Sequence, residues 1–175
     1  MVIVDDATAI ARLLAAFGLG FVLGFERELR GQPAGLRTHI LVCLGACLFT
    51  LCSLFVAQPL TADTTQEARA DISRIASQIV VGIGFLGGGA ILRHDTHIKG
   101  LTTAANLWLT ASVGLATGLG FALPALATVA LALFSLVGLR FLEPLARRLR
   151  HRLGLGDEDV SSTRPPREPS TPNRE

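Results

Sequence analysis

Five long apolar runs divide this chain, and each is close to the length of a bilayer crossing. Ala7 to Phe25, Thr38 to Ala57, Ile75 to Leu92, Leu101 to Leu119 and Phe121 to Leu142 are each near the ~20 residues that a helix rising 1.5 Å per residue needs to cross ~30 Å of hydrocarbon. The runs are apolar all round rather than along one helical stripe. Half of the residues are hydrophobic and only 17% are charged, which is a bilayer composition. The sequence therefore predicts an all-α, polytopic integral membrane protein with about five transmembrane helices. The first run is expected to stay in the membrane: Met1 to Asp6 is acidic where a signal peptide is basic, and the run ends in Glu26-Arg-Glu28 with no small-residue cleavage site.

The basic residues set an orientation. Arg27, Arg30 and Arg37 fall between runs one and two, Arg93 and Lys99 between three and four, and Arg147, Arg148, Arg150 and Arg152 after run five. By the positive-inside rule the N-terminus is outside and the C-terminus in the cytoplasm. The third run is the weakest, since Ile79 to Leu92 is short and carries Gly82, Gly84, Gly87, Gly88 and Gly89. A broken or re-entrant segment is the alternative there, tolerated only where protein covers the backbone. Residues 1–143 thus form the transmembrane domain. Pro144 to Leu153 alternates Arg with Leu145, Leu149 and Leu153, as in a basic helix lying on an anionic surface. Residues 154–175 have almost nothing to bury, and disorder is expected.

Two stretches read as copies of one device. Gly18-Leu-Gly-Phe21 precedes Gly35-Leu-Arg-Thr38, and Gly82-Ile-Gly-Phe85 precedes Gly100-Leu-Thr-Thr103, at offsets of 64 and 65 residues. In the topology above the copies are parallel repeats of a helix pair, and such duplications place working sites where the copies meet. Glu26, Arg27, Glu28, Arg37, Thr38, Arg93, Lys99, Thr102, Thr103 and Asn106 would then converge at one end as a polar cluster. A carboxylate abutting a hydrophobic run is costly unless paired, which makes Arg37 or Arg93 a candidate partner for Glu26. Snorkelling charges that merely orient the helices are the plainer reading.

Gly20 and Gly24, Gly84 and Gly88, and Gly114 and Gly118 each sit one turn apart on a shared face, with Gly87 beside the second pair. Close helix packing is the expected use; a hinge or ion path is the alternative. The string Gly82-Ile-Gly-Phe-Leu-Gly87 mimics a dinucleotide fingerprint, but it lies inside an apolar run rather than after a strand. Cys43, Cys47 and Cys52 lack CxxC spacing and read as small hydrophobes. His94 and His97 offer too few ligands for a metal centre. No nucleophile with a base is evident, so neither catalysis nor a cofactor is expected, and no nucleic-acid partner.

Taken together, Gly24-Phe-Glu-Arg-Glu28, Ala34-Gly-Leu-Arg-Thr-His39 with Leu41 to Ala46, Arg74-Ile-Ala-Ser-Gln78, Gly82 to Gly87, and Lys99-Gly-Leu-Thr-Thr-Ala-Ala105 with Leu107-Trp108 strongly resemble the MgtC/SapB family. The resemblance runs from about Gly18 to Gly120. It implies a bacterial inner-membrane protein, from a family whose best-known members are virulence factors needed for growth when magnesium is scarce and for survival in macrophages. It also implies a regulator of ion and ATP homeostasis, with the F-type ATP synthase as an implicated partner. Three departures bear on function. The folded, ACT-like cytoplasmic domain of longer members is expected to be missing here. Val81 stands where the family commonly has a small polar residue, and Asn106 where it has Thr. A small oligomeric magnesium transporter or channel is the competing expectation, but the runs offer few polar groups at mid-depth.

Overall fold

A computed structural model describes residues 4–57, 67–94 and 97–139, with Pro144 and Leu149 besides. Helix α1 spans Asp6–Leu29, α2 Leu36–Ala57, α3 Glu67–Ala90, α4 Leu101–Leu119 and α5 Ala122–Leu133, which runs on as a π turn over Phe134–Gly138. A two-stranded antiparallel hairpin, β1 Leu92–His94 and β2 His97–Lys99, joins α3 to α4. The expected basic helix and tail lie outside the described residues, apart from Pro144 and Leu149.

The helix ends follow local chemistry. Asp5 caps α1 by accepting from the Thr8 N–H at 3.3 Å, and the Thr8 side chain, followed by that N–H, holds the Asp5 carboxyl below its usual range. At the far end the Gln32 N–H reaches the Arg27 carbonyl and the Gly31 N–H the Glu28 carbonyl. Phe121 and Gly120 repeat the pattern onto Ala116 and Thr117 at the end of α4. Both are Schellman closures, and both need a left-handed residue, supplied by Gly31 at φ 60° and Gly120 at φ 88°.

Two helices, α1 and α2, are long and apolar enough to cross a membrane. The apolar parts of α3 and α5 are shorter, Ser77–Ala90 and Ala122–Gly138, and α4 dilutes its apolar run with Thr102, Thr103, Asn106, Thr110, Ser112 and Thr117. α3 is helical without a break through all five of its glycines, so the segment is neither broken nor looped. The outer surface is coated with large apolar side chains, with Phe85 85% and Leu123 80% exposed. In water such a coat would drive aggregation; in lipid it is the solvent-facing layer. This is a membrane protein.

Helices α2 and α4 form the centre of the described bundle. Leu23, Cys43, Cys47, Val113, Ala125 and Val129 meet in its main core, and Ala46, Ile83, Leu107 and Ala111 in a second. Glycines let the backbones close. A Cβ on Gly20 would lie 2.9 Å from Cys43 Cβ, and one on Gly24 2.8 Å from Leu36 Cα, so α1 packs directly on α2. From α4, a Cβ on Gly118 would lie 2.7 Å from Thr50 Cβ on α2, and Gly114 meets the Cys43 carbonyl. These contacts make α1 and α2 antiparallel, and α2 and α4 parallel.

The second copy of the device is built differently. A Cβ on Gly84 or Gly88 would meet nothing within 4 Å. The expectation that this pair holds neighbouring helices is therefore corrected within this chain. α3 turns Ile83 and Gly87 inward, one residue and so about 100° away from the Gly84 and Gly88 face. Even Gly87 is no tight contact, since its added Cβ would stop 3.7 Å from Ala104 Cβ.

Candidate functional site

A knot of polar groups forms at one end of the described bundle, where α1 finishes and α2 and α4 begin. Arg27 is 4% exposed on the last turn of α1. Its Nη2 donates to Thr103 Oγ1 on α4 at 3.1 Å and to Gln32 Oε1 at 2.9 Å. Its Nε has no hydrogen-bond partner among the described residues.

A second buried link ties α2 to α4. His39 is fully buried. Asn106 Nδ2 lies 2.9 Å from His39 Nε2, and His39 Nδ1 lies 2.8 Å from the Gly35 carbonyl. An amide NH2 can only donate, so Nε2 accepts. Nδ1 then carries the ring proton and donates it to Gly35, which fixes a neutral ring in one tautomer. Asn106 is 5% exposed and Thr103 1%.

The acidic residues divide their work. Glu26 is 9% exposed, and its ionic partner is Arg30 on the same helix. Neither carboxylate oxygen of Glu26 makes a well-directed hydrogen bond among the described residues. The partner suggested by sequence was Arg37 or Arg93; the i,i+4 spacing on α1 gives Arg30 the shorter reach. Glu28 Oε2 accepts from the Leu36 N–H at 2.9 Å, placing a carboxylate on the free amides that begin α2. A Cβ on Gly35 would run into that carboxylate.

Of the residues expected to converge, Arg27 and Thr103 touch, Asn106 joins them through α4, and Glu26 and Glu28 lie beside them on α1. Thr38 is half-buried, while Arg37, Lys99 and Thr102 are exposed and, among the described residues, take no part in the hydrogen-bonded knot. Arg93 sits on β1 opposite Ile98, and its side chain lies outside the described residues.

His39, Arg30, Gln32 and Arg12 were not singled out by the sequence. His39 carried a signal: a histidine one turn inside an apolar run needs a partner at that depth. Arg12, inside the first run, offered the same clue. Its Nη1 donates to the Gly118 carbonyl at 2.7 Å and so satisfies the free end of α4. Arg12 and Arg27 are fifteen residues apart on α1, as Gly118 and Thr103 are on α4. The two arginines therefore clamp both ends of an antiparallel pair across roughly 22 Å.

Deeper in the bundle the hydroxyls turn back on their own helices. Thr50, Thr110 and Thr117 donate to the carbonyls of Ala46, Asn106 and Val113 at 2.7 to 2.8 Å. Among the described residues no three His, Cys, Asp or Glu side chains come together as a metal site.

Comparison with known proteins completes the description. The MgtC of Salmonella typhimurium is 44% identical over 131 residues, covering 75% of this chain and 52% of that protein. YhiD of Escherichia coli, named as a candidate magnesium transporter, is 46% identical over 112 residues, covering 63% of this chain and 50% of that protein. SapB of Bacillus subtilis is 36% identical over 165 residues, covering 88% and 69%. The chain thus spans about half the length of the Salmonella and Escherichia relatives. No solved structure matches it. The model of the MgtC family matches residues 13–145, from Leu13 on α1 through the whole polar knot, and the chain belongs to that family.

Proposed function

We propose that this protein is a regulator of ion and ATP homeostasis under magnesium limitation, acting from the bacterial inner membrane through contact with another membrane protein such as F-type ATP synthase. In this reading it catalyses no reaction and holds no cofactor. The N-terminus is outside and the polar knot faces the cytoplasm, in keeping with the basic residues Arg27, Arg30, Arg37 and Lys99 at that end.

The carrying observation is the distribution of polar groups along the bundle. The charged and amide side chains of the knot are tied between helices at one end, whereas the hydroxyls of Thr110 at mid-depth and of Thr50 and Thr117 toward the Arg12 end are spent on their own backbones. A transporter needs polar groups throughout its path; a regulator that works by helix contacts does not. The knot instead couples the ends of α1, α2 and α4 so that a change at one is felt at the others.

A small oligomeric magnesium transporter or channel is the second reading, favoured by the name of the Escherichia relative. Magnesium flux into proteoliposomes containing only the purified chain separates the two. The regulatory reading expects no flux above protein-free vesicles, and partner-free flux overturns it.

A further inference from the structure

Two hollows follow the seam between α2 and α3, with α4 as their floor. One, of about 420 Å³, is walled by Val42, Gly45 and Phe49 on α2 and by Ile79 and Gly82 on α3. The other, of about 390 Å³, lies nearer the polar knot and is lined by Phe85, Leu107, Thr38 and Thr103. Leu86 lines both, so they meet as one groove. From Thr38 to Phe49 it runs eleven residues along α2, roughly 16 Å, about half of a ~30 Å hydrocarbon layer.

The groove has a chemical direction. Its deep part is almost wholly apolar, with Gln78 at the far end, and its two hydroxyls, Thr38 and Thr103, lie at the end where α2 and α4 begin. Next to that mouth, Arg37 precedes Thr38 on α2 and Lys99 precedes the start of α4; both are exposed, and neither has an ion-pair partner among the described residues. The acid nearest Arg37 in the chain, Glu28, is already engaged on the Leu36 amide, and the acid nearest Lys99, Asp95, lies outside the described residues. A long apolar slot one leaflet deep, with hydroxyls at its mouth and exposed cations next to them in the chain, is complementary to an amphiphile with an apolar tail and an anionic head.

We propose that the groove between α2 and α3 is a binding site for one anionic phospholipid, whose acyl chain lies along Gly45 and Gly82 and whose phosphate is held at Thr38 by Arg37 and Lys99. The assignment is independent of the regulatory reading, because it concerns occupancy of the groove and not ion flux or ATP.

The test uses the full chain, purified in detergent, stripped of lipid and titrated in native mass spectrometry with phosphatidylglycerol or with phosphatidylcholine of the same acyl chains. One phosphatidylglycerol is expected to be retained over phosphatidylcholine. Gly45→Leu and Gly82→Leu each add a side chain where nothing lies within 4 Å, so both should fill the slot without disturbing the bundle and cut retention of both lipids. Arg37→Gln or Lys99→Gln should each lower the headgroup preference about fivefold, the usual strength of one basic residue against an anionic lipid, and leave phosphatidylcholine retention unchanged. Equal retention by the wild type and both leucine variants overturns the site. So does glycerol phosphate alone binding as well as the lipid, or a leucine variant that breaks a dimer of the chain while its lipid retention stays the same. Should both leucine variants unfold, the headgroup arm decides: loss of preference supports the site, and an unchanged preference overturns it.

Discussion

His39 and Asn106 meet at 2.9 Å between the parallel helices α2 and α4, each almost without access to solvent. Either residue alone would leave a polar group stranded in an apolar bundle. Asn106→Leu should therefore cost about 1–3 kcal/mol, the desolvation penalty left on His39 Nε2. The double variant His39→Leu with Asn106→Leu should cost less than the sum of the singles by about 0.5–3 kcal/mol. Unfolding of the purified chain in detergent measures both, and additive losses would mean that the pair contributes no coupling.

Glycines at tight and at open positions should respond in opposite ways to leucine. Gly118→Leu drives a side chain into Thr50 and the Cys47 carbonyl and should destabilise by about 1–3 kcal/mol or more, as overpacking does. Gly84→Leu and Gly88→Leu add side chains to open positions and should leave the stability of the single chain nearly unchanged. Melting temperatures in detergent report the contrast. Equal losses at all three would show that the α3 face is covered by something the single chain does not contain.

That contrast marks how far the sequence could be read. The apolar runs located α4 at its observed bounds and α2 within two residues, because hydropathy and helix length depend on local composition. α3 starts eight residues before its apolar run, at Glu67, since a polar turn leading into a span has no hydropathy signal. The hairpin Leu92–Lys99 went unforeseen; three-residue strands carry too little alternation to be seen. Residue types foretold that Arg27, Thr103 and Asn106 would need partners. Which partner each found is set by the rotation of one helix against the next, and that phase is absent from a one-dimensional pattern: Gly20 and Gly84 have like neighbours in sequence and unlike neighbours in space.

Glu26 should couple to Arg30 and not to Arg37. Removing Arg30 alone leaves a buried carboxylate without its cation, a loss larger than the modest worth of an exposed pair. Glu26→Gln with Arg30→Gln should then be milder than the sum of the single changes, while Glu26→Gln with Arg37→Gln should be additive within about 0.5 kcal/mol. Unfolding in detergent distinguishes the two cycles, and coupling to Arg37 would place Glu26 in a wider network than the ion pair seen on α1.

The clamp on α1 offers a test at each end of α4. Thr103→Val removes an acceptor from the buried Arg27 guanidinium and should cost about 1.5–3 kcal/mol, the range for hydrogen bonds to charged groups. Arg12→Met keeps much of the side-chain bulk but frees the Gly118 carbonyl, and should cost nearer 1 kcal/mol because Arg12 is only half-buried. Hydrogen exchange would resolve where each loss is felt: the first turn of α4 should open in Thr103→Val and its last turn in Arg12→Met. Opening at the same end in both variants would contradict the two-point clamp.

Membrane orientation can be read from two exposed positions at opposite ends of α1. Asp5 caps the helix start and Gln32 follows its C-terminal closure. With Cys43, Cys47 and Cys52 replaced by Ala, a cysteine at position 5 should react in intact cells with a thiol reagent that cannot cross the inner membrane, and a cysteine at position 32 should react only after the membrane is opened. The Arg-rich end then faces the cytoplasm, as the distribution of basic residues requires. Labelling of position 32 in intact cells would put the polar knot and the mouth of the α2–α3 groove outside, where neither the proposed contact with the ATP synthase nor inner-leaflet lipid could reach them.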